Sequence, residues 1–111
     1  MDTPLFLSYG EIQRIRERYP GRIPIFVTRA SNANIPDIPK KKYLAPAHIS
    51  VGQFIYVIRK QINLAPEQAL FIFVDNTLPA ASTTLAEVYD KHKSLDGALR
   101  MVYTSESTFG I

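Results

Sequence analysis

The pattern of apolar and polar positions predicts four β-strands, each as a short apolar run or a two-residue alternation. In the first strand, Ile23, Ile25 and Val27 share one face, and Pro24 and Phe26 share the other. A proline inside this run predicts either an edge strand or a position whose missing N–H faces away from the ladder. The predicted strands cover residues 22–29, 41–45, 70–74 and 98–104.

Three segments begin with Ser or Thr followed three residues later by Glu or Gln. This is the capping-box pattern, in which the hydroxyl accepts from a backbone N–H and the longer side chain reaches back to the cap. Each box therefore predicts the start of a helix. The three predicted helices run from Ser8 to a stop at Pro20–Gly21, from Ser50 to about Ile62, and from Thr84 to about Lys93.

After the first helix, the elements follow the order strand, strand, helix, strand, helix, strand. Two hairpin strands followed by a crossover helix predict a mixed sheet with a helix packed on one face. We therefore predict an α+β fold, a four-stranded ubiquitin-like β-grasp preceded by an extra N-terminal helix. One domain is expected, with a helical extension over about 1–20, a core over about 21–104 and a flexible tail over 105–111.

The residue inventory excludes most catalytic and metal-binding classes. The 111 residues contain no cysteine, and the only histidines, His48 and His92, are far apart in sequence. Disulfides, thiolate sites and a Ser-His-Asp triad therefore lack their components, and we predict no enzyme, no metal and no cofactor. The net charge of +3 suits acidic partners or an anionic membrane, but it is too small to indicate nucleic acid. The first seven residues lack the basic start of a signal peptide, so we expect them to be retained.

The middle helix and the second strand carry more apolar surface than one core requires. Residues 54–58 are five consecutive apolar positions, whereas a helix on a sheet needs a stripe of about 100°. Some of them should point away from the core, unless the N-terminal segment or loops cover them. In the second strand, Tyr43 and Ala45 share one face, and Lys42 and Leu44 share the other. Apolar pockets beside an edge strand predict a site for an extended peptide.

Lysines at 40–42 adjoin this strand. They favour acidic residues in a bound peptide, or else form a basic turn that discourages edge pairing. The polar tail after Tyr103 ends in Phe109, Gly110 and Ile111. Glycine has no Cβ, so this tail suits a chain whose carboxylate is activated after Ile111 is removed. The alternative is a frayed terminus that happens to contain glycine.

Seven motifs have an order and spacing similar to those of a known family. They are Tyr19–Pro20, Arg22–Ile25, Lys40–Pro46, Val51–Phe54, Ile58–Lys60, Ala69–Asn76 and Ser105–Gly110. The chain resembles the autophagy ubiquitin-like modifiers, the family of GABARAP and the microtubule-associated light chains, from about Ser8 to its end.

The resemblance implies a mechanism. A cysteine protease would recognise Phe109 and cut after Gly110, removing Ile111. Activating and conjugating enzymes of the autophagy system would then join Gly110 to phosphatidylethanolamine. The modifier would move from the cytoplasm to the autophagosome membrane, recruit cargo receptors, and reach the lysosome or vacuole after fusion. Tubulin is a further partner in the family, through a first helix that the residues before Ser8 match only in part.

The resemblance also implies two pockets for the acidic-aromatic peptides of receptors. The implied aromatic pocket consists of Glu11, Ile15, Pro24, Phe26, Lys42 and Leu44. The implied aliphatic pocket consists of Tyr43, Ala45, Pro46, Ile49, Phe54, Val57 and Ile58. Contacts with the acidic flank are implied for Arg22, Lys40 and Lys41. We expect Phe54→Ala and Leu44→Ala to weaken peptide binding more than folding.

Two departures from the family affect this site. Gly97–Ala98 stands where the family usually has aromatics, which predicts a wider or shallower aromatic pocket, and Gln61 replaces a usual basic residue. Two other functions remain open from the residues themselves. One is an unconjugated peptide-binding adaptor in vesicle or microtubule-linked traffic, and the other is a modifier joined to a protein.

Overall fold

The computed structural model describes residues 9–31 and 33–105. The elements are α1 (Tyr9–Arg18), β1 (Arg22–Arg29), β2 (Lys42–Pro46), α2 (Val51–Gln61), β3 (Phe71–Phe73), α3 (Leu85–His92) and β4 (Leu99–Thr104). The sheet has the strand order β2-β1-β4-β3, with β1 parallel to β4 and the other pairs antiparallel. This confirms the predicted β-grasp with an extra helix before it. Within the described residues, no helix is long and apolar enough to span a bilayer.

Pro24 lies in a central strand, so the edge-strand alternative is wrong. The backbone N–H of Val27 donates to the carbonyl of Lys41 at 2.8 Å. Since hydrogen-bonded pairs alternate along an antiparallel ladder, Pro24 and Leu44 form a non-hydrogen-bonded pair. The missing N–H of Pro24 thus faces away from β2, and the parallel register with β4 begins only at Ile25. The second alternative is therefore confirmed.

The ends of two strands differ from the prediction. β2 covers Lys42–Pro46 instead of 41–45, although the Lys41 carbonyl still accepts the Val27 N–H across β1. β3 has three residues instead of five. Val74 leaves the sheet because it exchanges two 2.9 Å backbone bonds with Thr77. The turn between them places Asp75 and Asn76 at φ of 51° and 61°, the left-handed region.

Local capping fixes the starts of α2 and α3. In α2, the Ser50 hydroxyl accepts from the Gln53 N–H at 3.1 Å, and the Gln53 side chain accepts from the Ser50 N–H at 2.8 Å. Thr84 and Glu87 form the same reciprocal cap at the start of α3. Both predicted capping boxes are confirmed. The third box includes Ser8, which lies outside the described residues.

Two apolar clusters lie on opposite faces of the sheet. The larger joins the inward face of β1 to α2 and α3, with Phe54, Ile58 and Leu85 among its fully buried members. The smaller consists of Ile12, Phe26 and Ala98, and it fixes α1 to the other face. The position of α1 beside β1 and β2 creates the site described next.

Candidate functional site

A cavity of about 310 Å³ lies between α1, β1 and the edge strand β2. Hydrogen bonding to β1 uses one edge of β2, and within the described residues no strand pairs with its other edge. The cavity is lined by Ile12, Ile15, Pro24, Ile25, Phe26, Lys40, Lys42, Tyr43 and Leu44. We call it the aromatic cavity, because most residues of the predicted aromatic pocket line it.

Strand register brings these residues together. Pro24 lies opposite Leu44, and Phe26 lies opposite Lys42, so all four side chains share the face that α1 covers. With Ile15 from α1, five of the six predicted residues line the cavity. The sixth, Glu11, lines a neighbouring groove on α1 instead.

Ile12 lines the cavity but was not among the residues predicted for it. Its side chain is fully buried against Phe26. The three-residue spacing of Ile12 and Ile15 places both on one face of a helix. The sequence thus contained a signal for Ile12 as part of the cavity wall. Using it required knowing that α1 packs on the face of the sheet opposite α2 and α3.

Two lysines line the apolar cavity, and an arginine lies against the ring of one of its other lining residues, Phe26. The Lys40 ammonium lies 4.9 Å from the centroid of the Tyr43 ring, and Lys40 and Lys42 both line the cavity. The Arg100 guanidinium lies 5.1 Å from the centroid of Phe26. It also makes two bonds, of 3.0 and 2.8 Å, to Asp96, and these hold the pKa of that carboxyl below its usual value. An aromatic group beside an anionic one would suit this environment.

The three residues predicted to meet an acidic flank differ in availability. Lys41 donates to the Asp37 carboxylate at 3.1 Å and to the Ile38 carbonyl at 3.0 Å. The hydrogen bond between Lys41 and the Asp37 carboxylate lowers the pKa of Asp37, and this carboxylate already balances the charge of Lys41. Arg22 donates to the Leu44 carbonyl at 3.1 Å, at the far end of β2 from Lys40. Of the three, Lys40 alone lines the cavity.

The predicted aliphatic pocket consists largely of core residues. Phe54 is 2% exposed and Ile58 is 0% exposed, and the Phe54 ring packs edge-on to Tyr43 with centroids 5.5 Å apart. Ala45 also belongs to the main core. The remaining members, Pro46, Ile49 and Val57, are half-buried or exposed. A partner would therefore contact these three over a floor of core side chains.

The burial of Phe54 changes the expected effect of its mutation. Truncation of a buried Phe to Ala costs about 3–5 kcal/mol of unfolding free energy, so Phe54→Ala should harm folding first. The prediction that parts of residues 54–58 point away from the core is confirmed. Tyr56 is 59% exposed and Val57 is 37% exposed.

Gly97 and Ala98 let α1 approach the sheet closely. Gly97 has φ of +94°, and a Cβ there would lie 2.9 Å from Nε2 of Gln13 and 3.2 Å from Cγ2 of Ile12. Ala98 is fully buried in the cluster with Ile12 and Phe26. The space that larger residues would take at these two positions is therefore occupied by α1.

Comparisons with known proteins point to one family. Residues 8–110 match the family model described as autophagy protein Atg8 ubiquitin like. The chain is 53% identical over 110 residues to autophagy-related protein 8d of Arabidopsis thaliana, covering 99% of this chain and 92% of the relative. It is 50% identical over 111 residues to autophagy-related protein 8B of Oryza sativa subsp. japonica, covering 100% and 93%.

Two solved structures are similar over most of their length. The crystal structure of Trypanosoma brucei ATG8 has a TM-score of 0.83 and 35% identity, covering 99% of this chain and 100% of that one. Plasmodium falciparum Atg8, solved in complex with a Plasmodium falciparum Atg3 peptide, has a TM-score of 0.83 and 35% identity, covering 91% and 89%.

Proposed function

Because the chain belongs to the Atg8 family of autophagy ubiquitin-like proteins, we propose that it acts as a conjugated modifier and not as an enzyme. A cysteine protease cuts after Gly110, and activating and conjugating enzymes join the new carboxylate to phosphatidylethanolamine. Gly110 and its neighbours lie outside the described residues, so family membership and the tail sequence support this step. The lipid places the protein on the autophagosome membrane and, after fusion, in the lysosome or vacuole.

The second part of the proposal is that β2 binds extended peptides of cargo receptors and of the conjugating enzyme. The observation that carries it is the aromatic cavity beside the edge of β2 with which no described strand pairs. The peptide adds a strand to β2, its aromatic side chain enters the cavity, and its acidic residues lie near Lys40 and Lys42. The Plasmodium relative, solved with an Atg3 peptide, supports a conjugating-enzyme partner.

Intact mass spectrometry tests the conjugation step. The protein is incubated with a lysate that processes another Atg8 protein. We expect the mass of one isoleucine residue to be lost, no loss from Gly110→Ala, and normal loss from the control Ser105→Ala. Membrane attachment of Gly110→Ala in cells at the wild-type level would refute conjugation. If peptide binding persisted in that case, the unconjugated adaptor would become the better description.

A further inference from the structure

The turn between α3 and β4 presents a leucine to solvent. Residues 94–97 form a β-turn that is closed by a 2.9 Å hydrogen bond from the Gly97 N–H to the Ser94 carbonyl. Leu95 occupies the second position of this turn and is fully exposed, at 102% of its reference area. Among the large apolar residues of the described chain, Tyr9 comes next at 63%. Glycine, proline and small polar residues dominate such turns, so the leucine is an exception.

Hydrogen bonds that leave the Leu95 side chain uninvolved hold this turn in place. The Ser94 N–H donates to the Ala98 carbonyl at 2.8 Å. The Ala98 N–H donates to the Asp96 carboxylate at 3.1 Å. Because these bonds fix the backbone, little conformational freedom is lost when Leu95 meets a partner.

Two carboxylates near the turn are paired within the fold. Asp96 accepts two hydrogen bonds from the Arg100 guanidinium, at 3.0 and 2.8 Å. Asp75 lies 2.8 Å from the His92 ring, at the end of α3. Neither carboxylate therefore needs the lysines that lie beside the turn.

These lysines give the end of α3 a positive charge. Lys91 and Lys93 are exposed, and in the described part of the chain neither forms an ion pair with a carboxylate. The Lys93 ammonium and the Arg16 guanidinium lie 5.7 and 4.9 Å from the ring centroid of Tyr89, whose hydroxyl bonds to the turn. The exposed carboxylate of Asp90 only partly offsets these charges. The negative end of the α3 dipole favours the lysines but does not account for the exposed leucine.

An anionic membrane fits this combination, and the proposed lipid anchor brings one within reach. β4 runs from Leu99 to Thr104, so the turn and the tail lie at opposite ends of the strand, about 20 Å apart. Six residues lead from Thr104 to Gly110, and in extended form they span about 20 Å. A membrane that holds the lipid can therefore also contact the turn, with β4 inclined to its surface.

We propose that the α3–β4 turn inserts Leu95 into the interface of an anionic membrane, with Lys91 and Lys93 against the lipid head groups. This inference rests on the proposed conjugation, which supplies the membrane, and it identifies the part of the protein that faces it. One leucine and two lysines bind weakly by themselves. Weak binding suffices here because the attached lipid holds the turn close to the membrane. The lipid provides the affinity, and the turn sets the orientation.

Vesicle binding by the unconjugated full-length chain tests the turn without requiring conjugation. Sedimentation at 50 mM salt measures partitioning onto phosphatidylcholine vesicles with and without phosphatidylserine. We expect partitioning to be at least about tenfold higher with phosphatidylserine. Leu95→Ser should lower it by at least about fivefold, because the apolar anchor is lost. Lys91→Gln/Lys93→Gln should lower it by a similar factor, of about fivefold or more, on the anionic vesicles alone.

The exposed face of α2 offers a matched control. Tyr56 is 59% exposed there, and the Lys60 ammonium lies 4.8 Å from its ring centroid. Tyr56→Ser/Lys60→Gln removes one apolar and one basic group, as Leu95→Ser/Lys93→Gln does at the turn. The α2 variant should partition within about twofold of wild type, since lysines far from the contact add little. Circular dichroism of each variant verifies that it is folded.

A fluorescent label locates the contact directly. Because the chain has no cysteine, a single introduced cysteine can carry an environment-sensitive dye. Ser94→Cys places the dye beside Leu95, and Ala86→Cys places it on an exposed position in the first turn of α3. With anionic vesicles, emission from the dye at residue 94 should shift to shorter wavelength, and emission from the dye at residue 86 should not.

Four results would overturn the inference. They are wild-type partitioning of Leu95→Ser, which would indicate a protein partner for the leucine, an equal loss in the α2 control, unchanged emission at residue 94 in vesicle-bound protein, and no binding to either kind of vesicle. None of these bears on processing at Gly110, so the proposed conjugation would stand. If Gly110 proved not to be conjugated, vesicle binding through the turn would still be measured, and only its role beside a lipid anchor would be lost.

Discussion

The Tyr89 hydroxyl donates a 2.6 Å hydrogen bond to the carbonyl oxygen of Gly97. This bond ties α3 to the turn that precedes β4. The other side of the turn is covered by α1, because a Cβ at residue 97 would lie 2.9 Å from Nε2 of Gln13 and 3.2 Å from Cγ2 of Ile12. Arg16 of α1 lies 4.9 Å from the centroid of the Tyr89 ring. Three elements thus meet at Gly97, and together they position the α1 wall of the aromatic cavity.

Gly97→Ala should destabilise the protein and weaken peptide binding. The left-handed φ of +94° predicts a loss of about 1–3 kcal/mol in unfolding free energy by urea titration. Peptide affinity should fall as well, because the Ile12 side chain, 3.2 Å from the added Cβ, must give way and it lines the aromatic cavity. Gly21→Ala is the control, since a Cβ there has no neighbour within 4 Å. Equal losses from the two substitutions would contradict the role of Gly97.

The fold could be predicted because its main signals are local. The boxes at Ser50 and Thr84 set the starts of α2 and α3, and alternation in β1 separates its two faces. The extent of β3 could not be predicted in the same way. It depends on the two backbone bonds between Val74 and Thr77, which the strand pattern does not contain.

The site was predictable as a set of positions but not as accessible surface. Register follows from pairing, so Pro24, Phe26 and Leu44 were correctly expected to lie together. Burial does not follow from residue type, because the same apolar residues serve a core and a binding surface. Phe54 was expected to lie in a pocket and is fully buried, whereas its neighbour Tyr56 is exposed. Only the packing of α2 on the sheet distinguishes the two.

Phe54→Ala and Val57→Ala should separate folding from binding. Phe54 is 2% exposed, so its truncation should lower the unfolding free energy by about 3–5 kcal/mol. Val57 is 37% exposed, and Val57→Ala should cost less than about 1 kcal/mol of stability while weakening binding of a peptide with an aliphatic residue. Urea titration and calorimetry measure the two effects. A stable Phe54→Ala protein would show that this ring is not needed for the core.

Stability should fall between pH 10 and 12 because of buried tyrosines. Burial raises the pKa of Tyr43 and of Tyr103 from 10.0 to about 12. In this range the unfolded chain loses the phenolic protons and the folded chain retains them, so the unfolding free energy declines as pH rises. Tyr43→Phe removes one of these ionisations and should make the decline shallower. Urea titrations at pH 9, 10 and 11 measure the slope, and parallel curves for the two proteins would contradict the assignment.

The same substitution should cost little at neutral pH. The Tyr43 hydroxyl is buried without a hydrogen-bond partner in the described part of the chain, so its removal leaves no polar group unpaired. Tyr43→Phe should be neutral or stabilising by up to about 1 kcal/mol. Tyr103→Phe is the contrast, because its hydroxyl donates to the Pro36 carbonyl at 2.7 Å. That variant should lose about 1 kcal/mol in the same urea titration. Equal effects of the two substitutions would contradict this reading of the hydroxyls.

The adjacent lysines 41 and 42 should differ in their effect on peptide binding. Lys42 lines the aromatic cavity, whereas Lys41 is held by Asp37 and by the Ile38 carbonyl. We expect Lys42→Ala to weaken the binding of an acidic-aromatic peptide by up to about fivefold, because an exposed charge contact contributes up to about 1 kcal/mol. Lys41→Ala should change the affinity by less than about twofold and mainly affect the loop that contains Asp37.

Salt dependence distinguishes a charge effect from a change of shape in this comparison. Calorimetry at 50 and 300 mM salt should show a smaller difference in peptide affinity between wild type and Lys42→Ala at high salt, because exposed charges are screened. The conservative variant Lys42→Arg should retain most of the affinity at both salt concentrations. If Lys41→Ala weakened binding as much as Lys42→Ala did, the Lys41–Asp37 pair would have to open when the peptide binds, and Asp37→Asn would then increase the peptide affinity.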